Sequence, residues 1–382
     1  MRILVDAKNL ALYKGGISHW LGHQLEHWFA VAKGQAEFIL LYPKANGLNP
    51  IHLLDAEHQT ISWPEFLPRK LRHIWYDNIS FPRAIRGIKP QLIFSPYHDV
   101  CLPKQDSRIY SVITVHDLCF LDAPQAYPWF IRTYYLWMLR LNLGRASHVI
   151  TISESTRARL IEQYRLPEGM ISIIPNSIET DFLEKVPSAA QQQAWRNQFG
   201  RSTEKIVLYS SGIDHRKNIP RLMVAFRKLW AQGHQTILCI TGNLDPRWHN
   251  LFSQEEIDNG QVRFLGFLSL ADLRLAYQGV DLVVYPSLCE GFGRACIESM
   301  VCGTPLACSD LPVFHEVAGD YAVYFDPYDS ESIAQSMVFC LARGRKEPRQ
   351  DSRYELDYVQ SKFIQTMDQL LANAKALVDA PN

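Results

Sequence analysis

The sequence predicts an α/β protein made of two doubly wound halves, each a mostly parallel sheet covered by helices. Three observations carry this. Short apolar runs alternate with helical patterns from Ile3 to Ile152, and the alternation restarts at Ile206 after a polar stretch, Ser188 to Arg201, rich in Gln and Ala. The length of 382 residues suits two domains at roughly 150 residues each. The halves join between residues 178 and 202, which assigns 1–180 to an N-terminal domain and 181–352 to a C-terminal one.

In the first half, Ile3 to Val5, Phe38 to Tyr42, Leu92 to Ser95, Ser111 to Val115 and His148 to Ile152 read as strands. Ile17, Trp20, Leu21, Leu25, Trp28 and Phe29 recur every three or four residues and form one apolar helix face, with Gly15 and Gly16 immediately before it. In the second half, strands fall at Ile206 to Tyr209, Thr236 to Thr241, Val262 to Leu265, Leu282 to Tyr285, Pro305 to Cys308 and Ala322 to Phe325. Helices fall at Pro220 to Ala231, Ala271 to Tyr277, Ala295 to Val301 and Phe314 to Ala318. Tyr354, Val359, Phe363, Met367, Leu370 and Leu371 place one or two amphipathic helices over 353–378. Doubly wound sheets bind ligands beyond the carboxyl ends of their strands, so the expected site is the cleft between the halves.

Composition narrows the function. Hydrophobic residues are 47% and charged residues 20%, which excludes disordered and collagen-like chains. Lys plus Arg and Asp plus Glu are both 39, so no net field gathers nucleic acid, and any anion must be held by a local site. Residues 2–7 read as a strand with no leader pattern ahead of them, and a cytoplasmic location is expected. No apolar run approaches the roughly 18 residues of a membrane span. The eight cysteines, at 101, 119, 239, 289, 296, 302, 308 and 340, show no C-x-x-C pair or matching His cluster. They read as reduced, partly buried small residues rather than a zinc site or a disulfide framework.

The most informative stretch runs from Glu290 through Gly291, Phe292, Gly293 and Arg294 to Glu298. It sets one carboxylate in a Gly-rich loop at a strand end and a second one turn into the next helix. Loop amides and the helix start suit a phosphate, and carboxylates accept from hydroxyls, so a nucleotide-sugar fits better than ATP or NAD. The same residues also suit a helix cap and an exposed helix position. Ser210 to Asn218 places Gly212, Arg216 and Lys217 at another strand end before a helix, as a diphosphate site or a solvated turn. His116 and Asp117 end the Val112 to Val115 run, where His116 suits substrate positioning, proton handling or a satisfied structural role.

Tyr285 to Asp310, with its E-x7-E spacing and Gly303-Thr304-Pro305, resembles the donor signature of glycosyltransferase family 4, the retaining enzymes of GT-B fold. The resemblance is colinear over residues 2–330, taking in Gly15-Gly16-Ile17, His116, Val149 to Arg157, Ile171 to Glu179, the 210–218 loop and Glu316. It implies two Rossmann-like domains facing each other across a cleft, an acceptor-binding N-terminal domain onto which the 353–378 helices cross back, and a C-terminal donor domain. By the same resemblance Glu290 lies beside the donor sugar, Glu298 holds the ribose, the Gly291 to Arg294 amides contact sugar and phosphates, and Lys217 binds the leaving diphosphate. Gly15, Gly16 and Asp117 fall on the acceptor side, with Gly16 also near phosphate, and His116, Lys217 and Glu290 are the catalytic candidates. Many members carry Arg after the glycine of the basic loop. Here Ile213 follows Gly212, so Arg216 is the candidate second cation.

The implied reaction is metal-independent hexosyl transfer with retention, in polysaccharide or lipopolysaccharide assembly. No D-x-D motif occurs. The motif style resembles bacterial mannosyl- and rhamnosyltransferases, so GDP-mannose is the leading donor and UDP-glucose the second. A different GT-B sugar-nucleotide enzyme or a non-catalytic sugar-nucleotide binder are the rival readings. The acceptor is a saccharide or a lipid-linked saccharide. Phe66 to Lys89 interleaves basic and aromatic residues, as a peripheral contact with the inner face of a membrane or as a solvated helix with Ile74, Trp75 and Phe81 in the core.

Overall fold

Two parallel sheets organise the chain. The computed structural model describes every residue except 13–15, 33, 45–55, 63, 65, 105–107, 200–202, 213, 243–245 and 380–382. It divides into two compact units: Met1–Leu118, Trp129–Asn176 and Asp357–Asn382 form the first, and Cys119–Pro128 with Ser177–Leu356 the second.

The first unit holds β1 (Arg2–Asp6), β2 (Glu37–Lys44), β3 (Glu57–Ser62), β4 (Leu92–Ser95), β5 (Tyr110–Val115), β6 (His148–Thr151) and β7 (Ile171–Ile173). They pair in parallel in the order β3-β2-β1-β4-β5-β6-β7. The second unit holds β8 (Lys205–Tyr209), β9 (Thr236–Thr241), β10 (Val262–Gly266), β11 (Leu282–Tyr285), β12 (Leu306–Ser309) and β13 (Val323–Phe325), in the order β10-β9-β8-β11-β12-β13. The chain reverses its direction of growth between β1 and β4 in one sheet and between β8 and β11 in the other, which marks the place where a doubly wound sheet opens a crevice. This is the α/β architecture the sequence predicts. Central strands are buried on both faces, so Ile3 to Val5 in β1, Leu92 to Phe94 in β4 and Leu282 to Tyr285 in β11 are apolar runs visible in the sequence.

Several elements escape that reading, among them β3, β7 and the helices Trp129–Leu143, Glu154–Tyr164, Ala189–Phe199 and Ser330–Arg343. β3 and β7 are edge strands paired on one side only, and the polar sequence of β3 carries no apolar run. The Trp129–Leu143 helix escapes because its solvent-facing stripe carries Trp129, Phe130 and Trp137, so apolar residues do not mark one face alone. The helical segment over residues 69–88 also contains a π turn, Tyr76–Ser80, between Arg69–Trp75 and Phe81–Ile88. That turn buries Tyr76 and Asp77 together. Of the three residues that the core reading of this segment requires, Phe81 is fully buried, Ile74 is half-buried and Trp75 is 37% exposed.

The tail is one helix, Leu356–Asp379, following a short turn. Val359, Phe363, Met367, Leu370, Leu371 and Ala374 enter the core of the first unit beside Trp28, Phe38 and Phe94. The Phe363 ring lies 5.8 Å from that of Trp28 and 5.9 Å from that of Phe94.

One cysteine expectation is corrected. Cys119 and Cys289, expected to be reduced, form a disulfide inside the second unit with their Cα atoms 5.5 Å apart, while the other six are free. The partners are 170 residues apart in the chain. Only the packing of Cys119 and Ala123 on Leu288 and Cys289 brings them together, and spacing cannot reveal it. Among the described residues no helix is long and apolar enough to cross a membrane.

Phe363→Ala empties the aromatic junction that ties the last helix to the first unit. We expect a loss of about 3–5 kcal/mol, read by denaturant unfolding as a lower midpoint for the first unit.

Candidate active site

In the second unit the site grows from the carboxyl ends of β8 and β11, the two strands that flank the reversal. After β8 the chain makes a short turn, His215–Lys217, whose start is capped by the Asp214 side chain accepting from the Lys217 amide at 3.1 Å. Asn218 then adopts the left-handed conformation, φ 58°, and donates from its side chain to the Pro286 and Pro327 carbonyls at 3.0 and 2.7 Å. The Leu288 amide donates to the Arg216 carbonyl at 2.8 Å, so the basic turn and the segment after β11 are fastened backbone to backbone.

That fastening brings Arg216, Lys217 and Glu290 together. Lys217 Nζ lies 2.5 Å from Glu290 Oε1, 3.3 Å from the Tyr285 hydroxyl and 5.2 Å from the centre of the Tyr285 ring. Arg216 Nη1 stands 3.9 Å from Glu290 Oε2, and the Ser287 hydroxyl donates to Glu290 Oε1 at 2.7 Å. Both Lys217 and Glu290 are more than nine-tenths buried. Burial by itself would raise the Glu290 carboxyl. Lys217, then Arg216, and the hydrogen bonds from Lys217 and Ser287 outweigh burial and hold its pKa at about 2.

Gly293, at φ 107°, starts the Arg294–Val301 helix, and a Cβ there would lie 2.8 Å from the Phe314 ring, so only glycine fits. The first amides of such a helix have no partner within it and are available to an anion. Within this helix, the Tyr277 hydroxyl donates to Glu298 Oε2 at 2.7 Å, and Arg294 Nη2 stands 3.6 Å from both Glu298 Oε1 and Glu179 Oε1. Glu298 is therefore buried and held, while the Arg294 side chain is engaged by carboxylates, which leaves its backbone as the part suited to a phosphate. Phe292 is buried edge-on against Tyr354. Gly212 accepts the Tyr209 hydroxyl on its carbonyl at 2.8 Å, and Ile213 lies outside the described residues.

The first unit holds the remaining candidates. His116 follows β5 and is buried, its Nε2 2.8 Å from the Pro96 carbonyl; an acceptor there makes Nε2 the protonated nitrogen. Burial holds the His116 pKa below its ordinary value, against the smaller opposing effects of that carbonyl and of Asp117. Asp117 is partly exposed. Gly16 opens the Gly16–Val31 helix, and Gly15 lies outside the described residues.

Sequence reasoning missed a buried ionic cluster at the β1–β4 reversal. Lys8 Nζ bonds Asp77 and lies 2.9 Å from Asp99 Oδ2. The Tyr76 hydroxyl donates to Asp6 Oδ1 at 3.0 Å. Burial raises Asp6 to about 6 even though Lys8 opposes it, and burial with the nearby Asp99 raises Asp77 as well. These five residues, Asp6, Lys8, Tyr76, Asp77 and Asp99, are spread along the chain without a motif. The one signal was Lys8 directly after an apolar strand, a place where a lysine needs a carboxylate partner. Among the described residues no group of three or more His, Cys, Asp or Glu is arranged to hold a metal ion.

Against known proteins, the family model described as Glycosyl transferases group 1 matches residues 191–354, and that described as Glycosyltransferase Family 4 matches residues 30–182. The chain is 28% identical over 308 residues to the O-antigen chain mannosyltransferase RfbU of Salmonella typhimurium, covering 78% of each chain. It is 27% identical over 269 residues to the O-antigen chain mannosyltransferase B of Escherichia coli, covering 68% of this chain and 67% of the relative. Among solved structures, sucrose-phosphate synthase from Thermosynechococcus elongatus matches with a TM-score of 0.72 at 21% identity, over 98% of this chain and 99% of that one. WaaG, a glycosyltransferase involved in lipopolysaccharide biosynthesis, matches with a TM-score of 0.68 at 15% identity over all of both chains. Those two structures share the fold.

Glu290→Gln leaves Lys217 buried without its counter-charge and should destabilise the second unit by about 3–5 kcal/mol at neutral pH. The native carboxyl sits below its ordinary value of 4.5, so its stabilisation is present above pH 4.5 and is lost as pH falls toward about 2. The stability gap between wild type and Glu290→Gln should therefore close over that window in a pH series of denaturant melts.

Proposed function

Because the chain belongs to glycosyltransferase family 4, with two Rossmann-like units of the GT-B type, we propose that it moves a mannose-type hexose from a nucleoside-diphosphate sugar to a hydroxyl of a saccharide or lipid-linked saccharide in cell-surface polysaccharide assembly. GDP-mannose is the proposed donor. The mannosyltransferase activity named for the bacterial relatives supports that choice. The reading rests on one observation above the rest: Lys217 and Arg216 converge on Glu290 at the carboxyl ends of β8 and β11.

Lys217, Arg216 and the amides from Gly291 to Arg294 then meet the leaving diphosphate, with Gly212 and Phe292 shaping the loops that carry them. Glu290 accepts from hydroxyls of the transferred sugar, and Glu298 from the ribose. Transfer proceeds with retention: the acceptor oxygen forms its bond to the anomeric carbon on the face from which the diphosphate departs, and the departing phosphate oxygen takes the acceptor's proton. Preorganised cations stabilise the charge that develops on that oxygen, so no divalent metal is required. His116, with Asp117, Gly15 and Gly16, belongs to the acceptor side, where His116 positions the acceptor or handles its proton. The 66–89 segment contacts an anionic membrane surface or a lipid-linked acceptor from the cytoplasmic side.

Incubation with a panel of nucleotide-sugars, with lipid-linked acceptors and in EDTA, should show consumption of GDP-mannose before UDP-glucose. Consumption of no donor would sink the enzyme reading, and preference for UDP-glucose would sink the donor assignment. Lys217→Ala and Glu290→Ala should each lower transfer by at least about 100-fold at temperatures where circular dichroism shows the variant folded. Full activity in either variant refutes its role.

A further inference from the structure

The Trp129–Leu143 helix of the first unit turns its large aromatic side chains outward. Trp129 is 79% exposed, Phe130 51% and Trp137 54%. With exposed Thr133 and Arg140 they follow one stripe at helical spacing, while Met138, Leu139, Asn142 and Leu143 are buried on the other side. Isolated exposed aromatics are ordinary; three on a single helix stripe form a patch that needs a partner.

A second helical segment lies against this one. The Asn78 side chain, in the π turn, donates to the Tyr134 hydroxyl at 2.8 Å and to the Ile74 carbonyl at 2.9 Å, and the Tyr134 ring packs 6.5 Å from that of Trp137. The exposed Leu71 and Trp75 thus stand one helix away from Trp137. Arg83, Arg86 and Lys89 are exposed further along the same segment.

The charge of the two segments is of one sign. Residues 69–89 hold Arg69, Lys70, Arg72, Arg83, Arg86 and Lys89 against a single acidic residue, Asp77, which is buried on Lys8. Residues 129–145 hold Arg132, Arg140 and Arg145 and no acidic residue. In a chain whose totals balance at 39 and 39, this is a concentration of basic residues, of which Arg83, Arg86, Lys89 and Arg140 are exposed while Arg72 and Arg145 donate to the Leu67 and Leu102 carbonyls. Tryptophan with arginine and lysine, free of exposed carboxylates, is the composition that settles at the headgroup level of an anionic bilayer.

We infer that the Trp129–Leu143 helix and the adjoining 69–89 segment form one docking surface for an anionic phospholipid bilayer. Trp129, Phe130 and Trp137 enter the interface, and the arginines pair with lipid phosphates. The inference builds on the proposed membrane contact of 66–89, yet it needs no glycosyl transfer.

Sedimentation with vesicles, in the absence of any sugar nucleotide, tests it. The protein should pellet with phosphatidylglycerol-containing vesicles, much less with pure phosphatidylcholine, and release in about 0.5 M salt. The triple variant Trp129→Ser, Phe130→Ser, Trp137→Ser should bind about tenfold more weakly with an unchanged melting curve. In the wild type, brominated lipids should quench tryptophan fluorescence, a readout that requires no variant. The inference is overturned if the wild type stays in the supernatant, or if the triple variant binds equally well. It is also overturned if the aromatics instead support a dimer of this chain that the triple variant abolishes while vesicles bind neither protein. Donor turnover does not enter the assay, so the transferase reading and this one fail separately.

Discussion

The ion pair between Lys217 and Glu290 is the constraint around which the second unit is arranged. A lysine and a glutamate taken out of water cost several kcal/mol each unless every charge finds a partner. The unit meets that demand with parts far apart in sequence: the Asp214 cap and the left-handed Asn218 that fix the basic turn, the two proline carbonyls that receive the Asn218 side chain, and the Ser287 hydroxyl that reaches the same carboxylate oxygen as Lys217. The Cys119–Cys289 disulfide adds a covalent anchor at the residue next to Glu290. The result is a carboxylate that stays ionised beside a lysine held in place, a preorganised pair of charges at the ends of β8 and β11.

The first unit repeats the topology with the opposite electrostatic balance. Its reversal also carries a buried lysine, Lys8, but that ammonium serves Asp77 and Asp99 directly with Asp6 close by. With carboxylates in excess, burial wins: Asp6 rises to about 6, whereas Glu290, facing two cations, falls to about 2. One reversal is thus rich in cations and suited to an anion. The other is rich in carboxylates, and burial raises both Asp6 and Asp77 above the ordinary carboxylate range.

The legible parts of this chain are those where burial dictates residue type. β1, β4, β11 and β12 stand out because strands covered on both faces must be apolar throughout, and the Glu290 to Glu298 stretch stands out because a Gly-rich turn joined to a helix has few other uses. β3 was hidden because its sequence, Glu57–Ser62, is polar but for Ile61, and β7 because it is only three residues long, Ile171–Ile173. The Lys8 cluster and the Cys119–Cys289 bond were hidden for another reason. Each depends on which loops the fold brings side by side, and neither the separation of 69 positions from Lys8 to Asp77 nor that of 170 between the cysteines carries any trace of that meeting. The role of Arg216 was half legible: sequence could place a second cation beside Lys217, but only the geometry shows it directed at Glu290.

The balance of 39 basic and 39 acidic residues acquires its meaning from this distribution. In the second unit the cations that face the candidate site are already matched by Glu290, so a nucleoside diphosphate would have to share Lys217 and Arg216 with it rather than meet bare charge. Binding strength there must come from added amides and hydroxyl contacts, since the net field of the chain contributes nothing at long range. At the 69–89 and 129–145 segments the situation is reversed, because Asp77, their single acidic residue, is withdrawn into the Lys8 cluster and cannot neutralise the surface. The π turn that buries Asp77 thus completes the ionic cluster inside the first unit and withdraws from solvent the single acidic side chain of these two segments.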